Sequence, residues 1–182
     1  MGFSISWIAV RGKPKGEILT ALALQDTGEP DVANESAASG AELPGGWYIL
    51  FLNDVMHPFT EEHILAKLSR NCDAVTCQVE EHVMASAAFA YTDGVKVWDI
   101  RHESERGPRH LREGGMLPEP YQSIKRDLIA QQDKGDAEEE GVDYIWDIPV
   151  TLAFEAVGYR HDHVQLNSGE EPTFTRLAES AA

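Results

Sequence analysis

Residues 73–103 read DAVTCQVEEHVMASAAFAYTDGVKVWDIRHE, and this stretch decides the fold. Ala74 to Val79 has the length and composition of a strand, and Glu80-Glu81-His82 interrupts it. Two further strands then fold about Asp93-Gly94, the dipeptide that a two-residue type I′ hairpin turn prefers. The turn sets a register. Thr92 opposite Val95 places Phe89 opposite Trp98, Ala87 opposite Ile100 and Ala85 opposite His102, with Val83 and Tyr91 on the same aromatic and aliphatic face. The other face then carries Met84, Ser86, Ala88 and Ala90 against Val97, Asp99, Arg101 and Glu103. Those side chains are small or polar enough to meet solvent or the backbone of a partner.

Working outward, Phe3, Ile5 and Trp7 alternate with Ser4 and Ser6, which predicts a strand over Phe3 to Val10. Pro14 and the apolar spacing of Ile18, Ala21 and Leu22 predict a helix that stops at Asp26-Thr27-Gly28. Gln25 to Gly45 is rich in Gly, Pro, Ser, Asn and acids without an apolar period, and reads as a long surface loop. Trp47 to Leu52 is apolar throughout, the mark of a central strand covered on both faces by helices. A second helix follows Thr60, with Ile64, Leu65 and Leu68 as its stripe.

Beyond the hairpin, an edge strand around His110 to Glu113 is weakly signalled. Pro118 and Pro120 introduce a third helix carrying Tyr121, Ile124, Leu128 and Ile129. Asp133 to Asp147 holds seven acids and one lysine and reads as a solvated loop. Pro149 begins a fourth helix that Gly158 terminates. The expected architecture is α+β, a single domain over residues 1–163 with a largely antiparallel sheet of about five strands and three to four packed helices. Residues 164–182, polar apart from Phe174 and Leu177, read as a weakly ordered tail.

The 182 residues include 15 basic and 31 acidic side chains, a formal charge of −16 spread over both halves. Such a field disfavours nucleic acid and anionic membranes and attracts a basic protein partner. No run approaches the roughly 20 apolar residues of a membrane span, and the start has no secretory pattern, so a cytoplasmic protein is expected. Cys72 and Cys77 fall on opposite strand faces, against a disulfide, and no second pair completes a zinc site.

Candidate chemistry is confined to a few places. In Glu80-Glu81-His82, a histidine between carboxylates can act as a general base or a metal ligand, and the hairpin register makes Glu103 its diagonal neighbour. The same residues make an ordinary charged strand end. In Arg160-His161-Asp162-His163, two histidines one residue apart share a side of an extended chain and can chelate a metal, or else cap the preceding helix. The cationic Arg11–Gly16 loop can hold an anion at a helix start, and Trp47 can line a pocket or pack in the core. Nucleophile elbows, phosphate loops and basic stripes are missing, and no cofactor is implied.

The stretches Gly2–Trp7, Ser39–Pro44, Cys77–Met84 and Gly158–Asp162 resemble those of a family of uncharacterised, hypothetical bacterial proteins. The resemblance spans most of residues 1–163 and implies no activity, ligand or site residue. Charge, size and the lack of a catalytic signature together favour a small acidic protein-binding module, in its most concrete form a bacterial immunity protein that neutralises a basic toxin or effector. The alternative is a metal-dependent enzyme using the His and Glu residues named above.

Overall fold

Ile5, Trp7 and Ala9 on one side and Ile8 and Val10 on the other make the first strand, β1 (Ser4–Arg11), apolar on both faces. Such a strand needs cover on each side, and it lies at the centre of its sheet. The computed structural model describes residues 2–180. In chain order, β1 is followed by α1 (Lys15–Ala21), β2 (Leu24–Pro30), β3 (Ala38–Leu43), β4 (Trp47–Leu52), α2 (Glu62–Leu68), β5 (Asp73–Glu80), β6 (Ala85–Thr92) and β7 (Val95–Glu103). The remaining elements are β8 (Arg112–Gly115), α3 (Tyr121–Ala137), α4 (Asp147–Val157) and β9 (Thr175–Glu179). The strands form one sheet in the order β2-β9-β3-β4-β1-β5-β6-β7-β8, with every pairing antiparallel.

Two cores result. Helices α3 and α4 cover Trp7, Ile49, Cys77, Ala88 and Ile100 on one face, and α1 and α2 cover Ile8, Leu50, Ala74 and Tyr91 on the other. The α+β class and the antiparallel pairing therefore stand, but among the described residues the sheet has nine strands rather than about five. Two of the added strands come from the expected loop. β2 is an exposed edge strand with no apolar alternation to announce it. β3 is buried but built largely of small residues, because Tyr48 and Leu177 press so close that a Cβ on Gly40 would meet the Tyr48 hydroxyl at 2.1 Å.

The third is β9, which lies in the segment read as a tail. It runs between β2 and β3, burying Leu177 in the sheet, while the neighbouring Phe174 packs in the α3/α4 core. Residues 164–180 thus belong to the domain rather than trailing from it. The fourth, β8, is the edge strand weakly signalled around His110 to Glu113, displaced by two residues to Arg112–Gly115.

The hairpin register also needs correction. Thr92 pairs with Val95 as the turn requires, but a bulge follows, so that Tyr91 pairs with Lys96 and Ala90 with Trp98. Val97 is the extra residue, and every pair beyond it moves by one: Phe89 faces Asp99, Ala88 faces Ile100 and Ser86 faces His102. The face of Ser86, Ala88 and Ala90 consequently looks inward. Its side chains are small because α4 lies over them, with the Ser86 hydroxyl donating to the Trp146 carbonyl at 2.6 Å and the Trp146 indole N–H to that of Ala85 at 3.1 Å.

Candidate functional site

The two histidine-bearing stretches singled out in the sequence meet, although some 80 residues separate them. β5 ends at Glu80, and the turn that follows carries Glu81 to the start of β1, where its Oε2 accepts the Phe3 backbone N–H at 2.9 Å. Beyond α4, Gly158 adopts the left-handed conformation (φ 85°) that ends the helix and turns the chain back across the sheet. His161 then lies with Nε2 at 3.7 Å from Glu81 Oε1 and Nδ1 at 3.9 Å from Asp162 Oδ1. Both separations exceed a hydrogen bond. The imidazole is fully covered, edge-on to the rings of Phe3 and Trp146, and neither nitrogen has a hydrogen-bond partner among the described residues. Each unmet polar atom costs about 1–3 kcal/mol.

Charge around this ring is arranged by Arg160. Its guanidinium binds Asp162 Oδ1 and Asp147 Oδ1, both at 2.7 Å, tying the turn to the first residue of α4. Burial pushes the Asp162 carboxyl up, but the hydrogen bond and charge of Arg160, with smaller contributions from its surroundings, together outweigh it and hold the group below its usual pKa. For His161 burial dominates and depresses the pKa; Asp162 opposes that shift and Arg160 adds to it. The ring is neutral at pH 7.

The other sequence candidates go elsewhere. Glu80 accepts from the Ser4 hydroxyl at 2.5 Å and bonds His82 Nδ1 at 2.6 Å, and these contacts, Ser4 foremost, lower its pKa. Glu103 pairs with Arg106 and Arg101 and, through the bulge, stands opposite Ala85, so it is no partner for His82. His163 packs against Phe154 instead of beside His161, because the chain turns at His161-Asp162 and the parity of an extended strand does not apply. Among the described residues no three His, Cys, Asp or Glu side chains converge as metal ligands.

The cations of the Arg11–Gly16 loop are also engaged. Arg11 bonds Asp73, Lys13 donates to the Leu68 carbonyl and Lys15 bonds Asp26. Trp47 is a core residue with the Arg11 guanidinium over its ring, and both cysteines are free thiols.

Two clefts flank the segment Glu170–Thr173. One, of about 470 Å³, is lined by Phe3, Phe51, Tyr159, His161, His163 and Phe174 among others. The second, of about 410 Å³, lies over β3 and β9 and is rimmed by Asp26, Glu42, Glu170 and Glu171, with Lys15 as its one lining cation. Glu42, Glu170 and Glu171 have no basic side chain within 4 Å among the described residues. Tyr48 forms part of its floor with a buried hydroxyl that has no hydrogen-bond partner, and burial raises the phenol's pKa. Sequence reading missed this second cleft because its acids come from three separate segments.

A buried polar knot was missed too. His102 Nδ1 donates to the His110 carbonyl at 2.6 Å, and its Nε2 lies 2.9 Å from both Ser104 Oγ and Asp143 Oδ2. The Ser104 hydroxyl donates to the same carboxylate oxygen, so this serine is held by an acceptor and is no activated nucleophile. Its effect is to anchor the strand end of β7 to the loop before α4.

Comparison with protein-family models, with curated proteins and with solved structures finds no match. No helix among the described residues is long and apolar enough to cross a membrane.

Proposed function

We propose that this chain is a recognition module of the bacterial cytoplasm that binds a basic protein partner, and in its most concrete form an immunity protein that neutralises a basic toxin or effector. The observation that carries the reading is the acidic cleft over β3 and β9. Four carboxylates surround it, and the one lining cation among the described residues, Lys15, is already committed to Asp26. A lysine or arginine side chain entering there meets Glu42, Glu170 and Glu171. The formal charge of −16 steers such a partner from a distance and raises its rate of capture. The metal-dependent alternative gains nothing comparable, since the approach of Glu81 to His161 brings no third ligand among the described residues.

The test is affinity purification at low salt, comparing the wild type with the triple variant Glu42→Lys, Glu170→Lys, Glu171→Lys. The wild type should retain a stoichiometric basic protein, released by about 0.5 M salt. The variant should bind it at least about tenfold more weakly. Recovery of no stoichiometric partner, or equal retention by the variant, refutes the proposal.

A further inference from the structure

We propose that the cleft beside His161 is a binding site for a small, uncharged aromatic molecule that carries a hydroxyl group. Its volume of about 470 Å³ suits a ligand of one or two rings. Phe174 meets Phe51 and Tyr159 edge-on, with centroids 6.3 and 5.8 Å apart, which gives the cleft a preformed aromatic wall.

The polar element is His161. A buried imidazole whose two nitrogens both lack a partner is an exception that calls for an explanation, and a partner from outside the chain supplies one. A neutral imidazole offers one N–H and one lone pair. A hydroxyl can serve either nitrogen, by accepting or by donating. The carboxylates of Glu81, Asp162 and Glu171 stand around the ring and the cleft, so an anionic ligand is repelled.

Phe3 is the cover. It lies edge-on to His161 at 4.8 Å, is 39% exposed and precedes the first residue of β1. Its ring can swing outward while its backbone N–H stays bonded to Glu81, and the ligand ring then takes its place against His161. This inference does not rest on the acidic cleft: the two share Glu171, Pro172 and Thr173, but the ligand, the aromatic residues and the polar group differ.

The experiment titrates 2-naphthol, naphthalene and 2-naphthoate into the full chain and follows binding together with the imidazole ¹⁵N resonances. 2-Naphthol should bind, shift the His161 resonances and be preferred over naphthalene by about five- to tenfold, the worth of one hydrogen bond. 2-Naphthoate should bind more weakly than 2-naphthol. His161→Phe keeps an aromatic ring in place and should abolish the preference for the hydroxyl. Equal affinity for 2-naphthol and naphthalene, unmoved His161 resonances, naphthoate binding as tight as naphthol, or a preference that survives in H161F would each overturn the proposal. If H161F does not fold, the wild-type affinity ratio and resonance shifts decide alone.

Discussion

Gly40→Ala is the substitution that most directly probes why β3 is built of small residues. The added Cβ would lie 2.1 Å from the Tyr48 hydroxyl oxygen, 2.8 Å from its Cζ and 3.2 Å from Leu177 Cδ1. Tyr48 is 4% exposed and sits in a strand buried along its whole length, so its ring cannot swing away freely. Overpacking of this kind costs about 1–3 kcal/mol, and the lower chain entropy of alanine in the unfolded state returns about 0.4–1 kcal/mol. The net expectation is a loss of about 1–2 kcal/mol. Tyr48→Phe removes a buried hydroxyl that has no partner and should leave stability unchanged or raise it by about 1 kcal/mol. In the double variant part of the clash disappears, so the alanine should cost less there than alone. Urea denaturation of the four proteins closes the cycle, provided the m-values agree. A neutral Gly40→Ala, or a Tyr48→Phe that destabilises by more than about 1 kcal/mol, would refute the reasoning.

Two further expectations concern the core and pH. Ala88→Leu, at a position the unbulged hairpin leaves free to meet solvent or the backbone of a partner, instead pushes into α4 and should cost about 1–3 kcal/mol in the same assay. His161 has a folded-state pKa below its unfolded value of about 6.5, so the unfolded chain binds the extra proton first and stability falls as pH drops through 6.5 towards the folded pKa. His57, also depressed by burial, contributes in the same direction. Thermal melts between about pH 7.5 and 5 should therefore show a declining midpoint, with a shallower decline in H161F, and identical slopes would remove the buried neutral ring from the account.

The sequence by itself determined the elements whose own residues carry the signal. Trp47–Leu52 is apolar throughout and became a strand covered on both faces, Asp93-Gly94 made its hairpin turn, and Gly158 ended α4. These features are local, set by backbone preference and by the period of burial. Charge was equally legible, being a sum over the chain.

Tertiary structure decided what depends on distant neighbours. β3 is a strand because β4 and β9 pair with it, and its small residues follow from the approach of Tyr48 and Leu177 rather than from any strand propensity. The bulge at Val97 came from neither the turn nor the alternation, and by inserting one residue it set Trp98 and Ile100 of β7 beside Ala90 and Ala88 of β6 instead of beside Phe89 and Ala87. The site is the extreme case. Glu81 and His161 were each visible as candidates, but only the closure of β1 against β5 and the reversal after Gly158 brought them within 4 Å, leaving an imidazole buried with no hydrogen-bond partner among the described residues.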